Sequence, residues 1–117
     1  MKMIEIDYDA AKPIDSYGDG FFRVDGEVHQ GPMLIFPDAV LGWGGYDDTT
    51  ALLANAGKFD VLFVGTGADI AHIPAKLRQV LEEAGLGVEQ MSTPSACRTY
   101  NVLLSEGRRI GAALLPV

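Results

Sequence analysis

The sequence contains few of the residues that build disulfides and metal centres. Its 117 residues include one cysteine, Cys97, and two histidines, His29 and His72. A single cysteine excludes an intramolecular disulfide, and these three side chains are too few for a structural zinc site, which takes four ligands. No complete catalytic set of side chains stands out either. We therefore predict no metal, no cofactor and no established catalytic residue.

Long apolar runs are also missing. No stretch approaches the ~18 uninterrupted apolar residues expected of a membrane-spanning helix. The first seven residues, MKMIEID, contain acids where a secretory signal needs an apolar core, and they are not rich in Arg and Ser as a transit peptide is. The sequence therefore predicts a cytoplasmic protein with no direct membrane insertion.

Positive charge is scarce in the first half. Residues 1–60 contain 4 Lys/Arg and 11 Asp/Glu, whereas residues 61–117 contain 5 of each, so the net charge of −7 belongs to the first half. An acidic surface repels phosphate backbones and anionic lipids, which disfavours nucleic acid and membrane surfaces as partners. The acidic half either serves solubility alone or meets a basic protein.

What is present is the composition of an ordinary globular protein, with 48% hydrophobic and 21% charged residues. This balance is typical of a folded chain rather than a disordered one. A length of 117 residues is usual for one domain. We predict a single domain over residues 1–117.

The first half carries patterns typical of β-strands. Phe21–Val24 and Glu27–Gln30 flank the dipeptide Asp25-Gly26, which tolerates the positive φ of a type I′ turn. This arrangement predicts a β-hairpin near the N-terminus. Two further short apolar runs follow, at Met33–Phe36 and 39–41.

Two helices can be placed by their end signals. Asp47 or Asp48 caps a short helix that Gly57 ends. Pro74 and Gly85 mark the beginning and the end of a second helix. Apolar residues fall on one side of this second helix at helical spacing: Ile73, Leu77, Val80, Leu81 and Ala84.

The second half alternates strands with helices. An apolar run at 61–64 predicts a strand covered on both faces. Further strands are predicted at 88–91 and 110–115, separated by a third helix that Thr93 caps and that ends near Glu106. Strands alternating with helices predict an α/β fold, and the early hairpin favours a mixed sheet. We predict three layers, with helices packed on a central mixed β-sheet and an additional N-terminal β-hairpin.

The first candidate site is Gly65-Thr66-Gly67, directly after the 61–64 strand. Glycines there let the backbone turn sharply and expose amide donors at the carboxyl end of the strand, where ligands bind in open α/β sheets. The dinucleotide fingerprint is incomplete because Ile70 replaces its third glycine, and the Lys-Ser/Thr pair of a Walker A loop is absent. A plain turn from strand to loop is the alternative.

The second candidate site is the amino end of the third helix. Free amides there suit an anion, to which Arg98 adds planar donors, beside Thr99 and Asn101. Cys97 lies in the same early part of the helix, where the helix end and Arg98 favour a thiolate, so it is a candidate reactive thiol. No histidine lies near it to act as a base, and a buried, structural Cys97 is the alternative.

Four segments of the sequence resemble a known family. They read VLFVGTG, GVEQMST, ACRTYNVL and EGRR and begin at Val61, Gly87, Ala96 and Glu106. The combination resembles a domain-of-unknown-function family that includes mitochondrial complex I (NADH dehydrogenase) assembly factor 3 and an adipogenesis-associated domain-containing protein. The similarity extends from about Met33 onward. Because the chain shows no mitochondrial transit segment, it resembles a bacterial form.

The resemblance implies a three-layer α/β domain with a mixed sheet and no established enzymatic activity. It points to an accessory protein that binds another protein, with assembly of a respiratory or other membrane-associated complex as the expected setting. The alternatives are a protein or enzyme that binds a small anionic molecule where Gly65–Gly67 meets the amino end of the third helix, and a purely structural role in which Arg98 and Asn101 tie the helix to backbone carbonyls. The polar positions that match the family are Gly65, Thr66, Gly67, Arg98, Thr99 and Asn101.

Overall fold

Two β-sheets and three α-helices make up the described part of the chain. The structure is a computed structural model that describes residues 11–117. Within them the strands are β1 (Ile14–Gly18), β2 (Phe21–Val24), β3 (Glu27–Gln30), β4 (Met33–Phe36), β5 (Ala39–Gly42), β6 (Val61–Gly65), β7 (Gly87–Met91) and β8 (Ile110–Leu114). The helices are α1 (Thr49–Ala54), α2 (Ala75–Glu83) and α3 (Thr93–Ser105), and a short 3₁₀ helix, Ala56–Lys58, follows α1.

The central sheet has five strands in the order β5-β4-β8-β6-β7. Strand β4 is antiparallel to β5 and to β8, whereas β6 is parallel to both β8 and β7. The predicted mixed sheet is therefore confirmed. Strand β8 comes last along the described chain but lies in the middle of the sheet, where it joins the antiparallel half to the parallel half.

The second sheet contains the predicted hairpin and one further strand. Strands β2 and β3 pair in antiparallel fashion across a two-residue turn, in which Asp25 and Gly26 have φ values of 52° and 79°. These angles agree with the predicted type I′ turn. Strand β1 adds to the free side of β2, with a β-bulge between Ile14 and Ser16. The three strands have the order β1-β2-β3.

The central sheet buries apolar side chains on both faces. Along β4, Met33 and Ile35 belong to one core, while Leu34 and Phe36 belong to the other, because successive side chains of a strand point to opposite faces. The first core lies between the central sheet, α3 and the three-stranded sheet. The second lies between the central sheet and α1 and α2. The three-layer architecture is therefore confirmed.

The ends of α1 and α2 differ in part from the predicted ones. Asp48 caps α1, and its carboxylate accepts a hydrogen bond from the N–H of Ala51 at 3.3 Å. The helix ends at Ala54, before Gly57, and Asn55 is its C-cap, whose side chain and N–H both donate to carbonyls of the helix. Ala84, expected on the buried side of α2, is exposed and lies just past the last helical residue, Glu83, as the C-cap.

Helix α3 begins one residue earlier than its predicted cap requires. Ser92 is the N-cap, and its hydroxyl accepts from the N–H of Ser95 at 3.4 Å, so Thr93 is already the first helical residue. The helix ends at Ser105, and Gly107 follows with φ 76°. This difference matters, because it releases the Thr93 hydroxyl from capping and turns it towards the loop after β6.

In the part of the chain that the structure describes, no helix combines the length and the apolar character needed to cross a membrane.

Candidate functional site

The junction between the β6 loop and the start of α3 is held by Thr93. Its hydroxyl accepts a hydrogen bond from the N–H of Gly67 at 2.9 Å and donates to the carbonyl of Leu115 at 2.7 Å. The N–H of Thr93 donates to the carbonyl of Gly67 at 2.7 Å. Thr93 is fully buried, so these bonds satisfy its polar groups where water cannot. The amides expected to bind an anion at this junction are engaged by the protein itself.

Gly65 lies in this junction because there is no room for a side chain. A Cβ at Gly65 would be 2.8 Å from the Thr93 hydroxyl, 2.8 Å from Leu114 Cδ2 and 3.0 Å from Thr93 Cα. Distances this short require the neighbouring atoms to move. The glycine therefore permits α3 to approach β6 closely.

Thr66 organises the loop that follows β6. Its hydroxyl donates to the carbonyl of Asp69 at 2.7 Å and accepts from the N–H of Ala71 at 3.0 Å. Its own N–H donates to the carbonyl of Met91 at 2.9 Å. These bonds fix a loop on which Ile70 is 64% exposed, the largest exposure among the large apolar residues described.

Asn101 holds a second junction, between α3 and β1. Its side-chain oxygen accepts from the N–H of Ile14 at 2.8 Å, and its side-chain N–H donates to the carbonyl of Ile14 at 2.9 Å. The amide side chain thus makes the same pair of bonds to Ile14 that a neighbouring strand would make. These contacts of Asn101 are of the kind expected for a purely structural role, in which the side chain ties α3 to backbone groups.

A groove of 290 Å³ extends along this second junction. Arg98 is exposed in the groove, and within residues 11–117 its guanidinium has no ion pair. Thr99, which is half-buried, makes no side-chain hydrogen bond to the described residues. The groove is lined by Ile14, Asp15, Ser16, Tyr17, Pro94, Cys97, Arg98 and Asn101.

The structure therefore divides the candidate residues between two places. Gly65 and Gly67 meet Thr93 in a filled junction, whereas Asn101 bonds to β1 beside an open groove in which Arg98 is exposed. Residues 65–67 do not line that groove. The small-molecule interpretation of the sequence required one pocket formed by both groups.

Cys97 and Tyr100 lie on the inner side of α3. Cys97 is 4% exposed, and burial raises the pKa of its thiol to about 12, so the thiol is protonated at neutral pH. Tyr100 is fully buried, and its hydroxyl has no hydrogen-bond partner among the described residues. Burial, and secondarily the charge of Asp38, raise the pKa of Tyr100. Both side chains belong to the core between α3 and the central sheet.

Two polar features lie on the other face of the central sheet, beside α2. Sequence reasoning did not identify them. Gln90 on β7 accepts from the N–H of Ile73 at 3.0 Å and lies 3.1 Å from His72 Nδ1, which fixes the chain as it enters α2. Arg78 on α2 donates to the carbonyl of Val88 at 3.1 Å. No local pattern indicates these pairs, because they join residues of different elements.

A larger groove of 380 Å³ separates the beginnings of α1 and α2. Partial burial raises the pKa of Tyr46, which lines it. Within residues 11–117 no group of three or more His, Cys, Asp or Glu side chains could hold a metal ion, in this groove or elsewhere. The groove is lined by Tyr46, Asp47, Thr49, Pro74, Lys76, Leu77 and Val80.

Comparison with known proteins identifies relatives over most of the chain. Residues 14–115 match the family model described as protein of unknown function (DUF498/DUF598). An uncharacterized protein of Rhodobacter capsulatus is 59% identical over 107 residues, which cover 92% of this chain and 86% of that protein. The human NADH dehydrogenase [ubiquinone] 1 alpha subcomplex assembly factor 3 is 35% identical over 112 residues.

The match covers 88% of this chain but only 60% of the human assembly factor. Among solved structures, one described as an outer membrane protein from Bartonella henselae superposes with a TM-score of 0.83 at 35% identity. That superposition covers 92% of this chain and 97% of the Bartonella chain. The likeness therefore includes the fold of nearly the whole described chain.

Proposed function

Because the chain belongs to the DUF498/DUF598 family of proteins of unknown function, we propose that it is a non-enzymatic accessory protein. It binds another protein during assembly of a respiratory or other membrane-associated complex, and it acts in the cytoplasm. The observation that carries this proposal is the likeness to a protein named as a complex I assembly factor over 88% of this chain.

The arrangement of polar groups is consistent with binding a protein rather than turning over a substrate. The Thr93 hydroxyl and the Asn101 amide, which a small molecule would need as donors or acceptors, are already paired with Gly67, Leu115 and Ile14. The thiol of Cys97 is buried and protonated at neutral pH. The groups that remain available lie on the surface, where a partner protein reaches them.

The excess of acidic residues in the first half, residues 1–60, supports a second part of the proposal, which concerns the charge of the partner. Asp19 and Glu27 are exposed on the three-stranded sheet and its turn, and neither forms an ion pair within residues 11–117. Charges of one sign on one part of a surface steer a partner of opposite charge and set specificity. The partner protein is expected to present a basic patch to this acidic surface, and nucleic acid is not an expected partner.

Complementation tests the function directly. The gene for the Rhodobacter capsulatus relative would be deleted, and this chain expressed in its place while assembled NADH dehydrogenase is measured on native gels of the membranes. We expect loss of the assembled complex on deletion and its return with this chain. Normal levels of the complex in the deletion strain would refute the proposal.

The charge element has its own matched pair of variants. Asp19→Lys with Glu27→Lys should reduce the recovered complex, because the two changes reverse the acidic surface. Asp69→Lys with Glu89→Lys makes the same change in net charge in the other half and should restore assembly as wild type does. Equal recovery by the two double variants would remove the acidic surface from the proposal.

A further inference from the structure

In the described part of the chain, the groove between β1 and α3 contains a strand edge that pairs with no other strand. Within residues 11–117, β1 pairs with β2 alone, so one of its sides has no neighbouring strand. Val24 and Glu27 close the two-residue β2–β3 turn, and such a closing pair exchanges its backbone hydrogen bonds across the hairpin. Ile14, opposite Val24 on the other side, therefore points its N–H and carbonyl away from β2.

The same alternation gives the backbone groups of Tyr17 the same outward direction as those of Ile14. The bulge sets two residues of β1 against Arg23, and Tyr17 then faces Phe22, which has the same orientation as Val24. The N–H and carbonyl of Tyr17 therefore also point outward, along the groove. Asn101 satisfies these groups at Ile14, and no described residue does so at Tyr17.

Arg98 gives the groove its charge preference. Among the described residues that line it, two are acidic or basic, Asp15 and Arg98. The Asp15 carboxylate is turned to the β2–β3 turn, where it accepts from the N–H of Gly26 at 3.0 Å. The Arg98 guanidinium is exposed and without an ion pair in the described chain, so it offers planar donors to a carboxylate.

We propose that this groove binds an extended, carboxylate-bearing segment of the partner protein. The segment pairs with the outward backbone groups of Tyr17, as the Asn101 amide pairs with Ile14, and its carboxylate binds Arg98. Ile14 is already paired with Asn101, so the other four residues of β1, at ~3.4 Å per residue, leave room for about four residues of such a segment. This inference rests on the proposed function and names the part of the partner that this site recognises.

Peptide selection tests the inference without knowledge of the partner. Random linear peptides displayed on phage would be selected on the whole chain, and the enriched peptides would be titrated against nitrogen-15-labelled protein. We expect enriched peptides to carry Asp or Glu and to shift the amide resonances of Tyr17 and of the first turns of α3. Absence of enrichment, or shifts confined to other surfaces, would overturn the proposal.

Variants of two exposed arginines distinguish peptide binding at this site from general charge attraction. Arg98→Glu should weaken binding of a selected peptide by about tenfold or more, the effect of losing a charge-assisted hydrogen bond. Replacing the acid of the peptide by its amide should do the same. Arg108→Glu, which makes the same charge change just beyond α3, should leave the affinity within about twofold. Equal losses in the two arginine variants would contradict a specific site.

Free glutarate distinguishes a peptide site from a simple anion site. If it shifts the same amides at the same concentration as the peptide, strand pairing contributes nothing and the proposal fails. The complementation strain separates this failure from failure of the proposed function. Recovery of the assembled complex with Arg98→Glu as with wild type would refute the groove alone, whereas no recovery with wild type would refute the function.

Discussion

Helix α3 meets the rest of the molecule at two polar junctions that differ in what they leave open. At its first residue, Thr93 bonds to Gly67 and Leu115 in a fully buried setting. Two turns later, Asn101 bonds to both backbone groups of Ile14, but beside it lies a groove of 290 Å³. One junction is filled, and the other borders an edge of β1 that pairs with no other strand of residues 11–117.

The difference shows that hydrogen bonds to backbone groups do not by themselves distinguish a structural contact from a binding surface. What distinguishes them is the space that remains. At the Thr93 junction even a Cβ on Gly65 would lie 2.8 Å from its neighbours, whereas the Asn101 junction leaves Arg98 and Tyr17 exposed. Variants at the two junctions should therefore affect different properties, stability in the first and binding in the second.

The largest effect is expected for Gly65→Ala. The added Cβ lies 3.0 Å from Thr93 Cα, a backbone atom that cannot turn aside, so the variant should lose about 3 kcal/mol of unfolding free energy in urea titrations. Gly57→Ala is the control, because a Cβ there meets nothing within 4 Å. Equal stability of the two variants would mean that the junction is not filled.

Thr93→Val should come next, with a loss of about 2 kcal/mol. The valine keeps the shape of the side chain but leaves the N–H of Gly67 and the carbonyl of Leu115 without their partner in a place closed to water. Thr93→Ser keeps the hydroxyl and should retain more of the stability in thermal unfolding. If Thr93→Val were more stable than Thr93→Ser, the methyl group of Thr93 would contribute more to stability than its hydrogen bonds.

Asn101→Ala should cost about 1.5 kcal/mol, less than Thr93→Val because the Asn101 side chain is only half-buried and water replaces part of the contact. The Ile14 amide should exchange its hydrogen faster, while the Gly67 amide should exchange at its wild-type rate. Similar acceleration at both amides would mean that the two junctions open together, which would break the comparison.

The smallest effect is expected from pH. Burial raises the pKa of Cys97 from the ordinary value of 9.0 to about 12. The unfolded chain therefore loses this proton more readily, and unfolding free energy should fall as pH rises from about 9 to about 12, by about 1 kcal/mol at pH 10. Cys97→Ala should show a shallower decline, measured as the difference in stability between pH 7 and pH 10. Parallel declines in wild type and variant would mean that the thiol titrates normally in the folded protein.

Much of the fold was predictable because its signals are local. The Asp25-Gly26 turn specifies the β2–β3 hairpin through the φ angles of two adjacent residues, and they take the expected values. The apolar run of β6 and the Pro and Gly residues at the helix ends act over a few residues in the same way. The sequence does not predict strand β1, because burial does not alternate along Ile14–Gly18. Its burial comes instead from packing on α3.

The candidate site was predictable only as a set of residue types. Asn101 is 87 residues from Ile14, and no sequence spacing indicates that its amide completes a strand edge. Thr93 before Pro94 predicts a cap at Thr93, yet Ser92 takes that role. Whether Arg98 faces the β6 loop or β1 depends on the rotation of α3 about its axis, which the burial of Ala96, Cys97 and Tyr100 sets.

The position of β8 also has a consequence for how the protein is made. On the ribosome, β4 and β6 emerge well before Ile110–Leu114, the strand that lies between them. Until that segment leaves the exit tunnel, both earlier strands carry apolar side chains without one of their neighbours. The nascent chain should therefore depend on chaperones until Ile110–Leu114 has emerged, and the central sheet should then form in one late step.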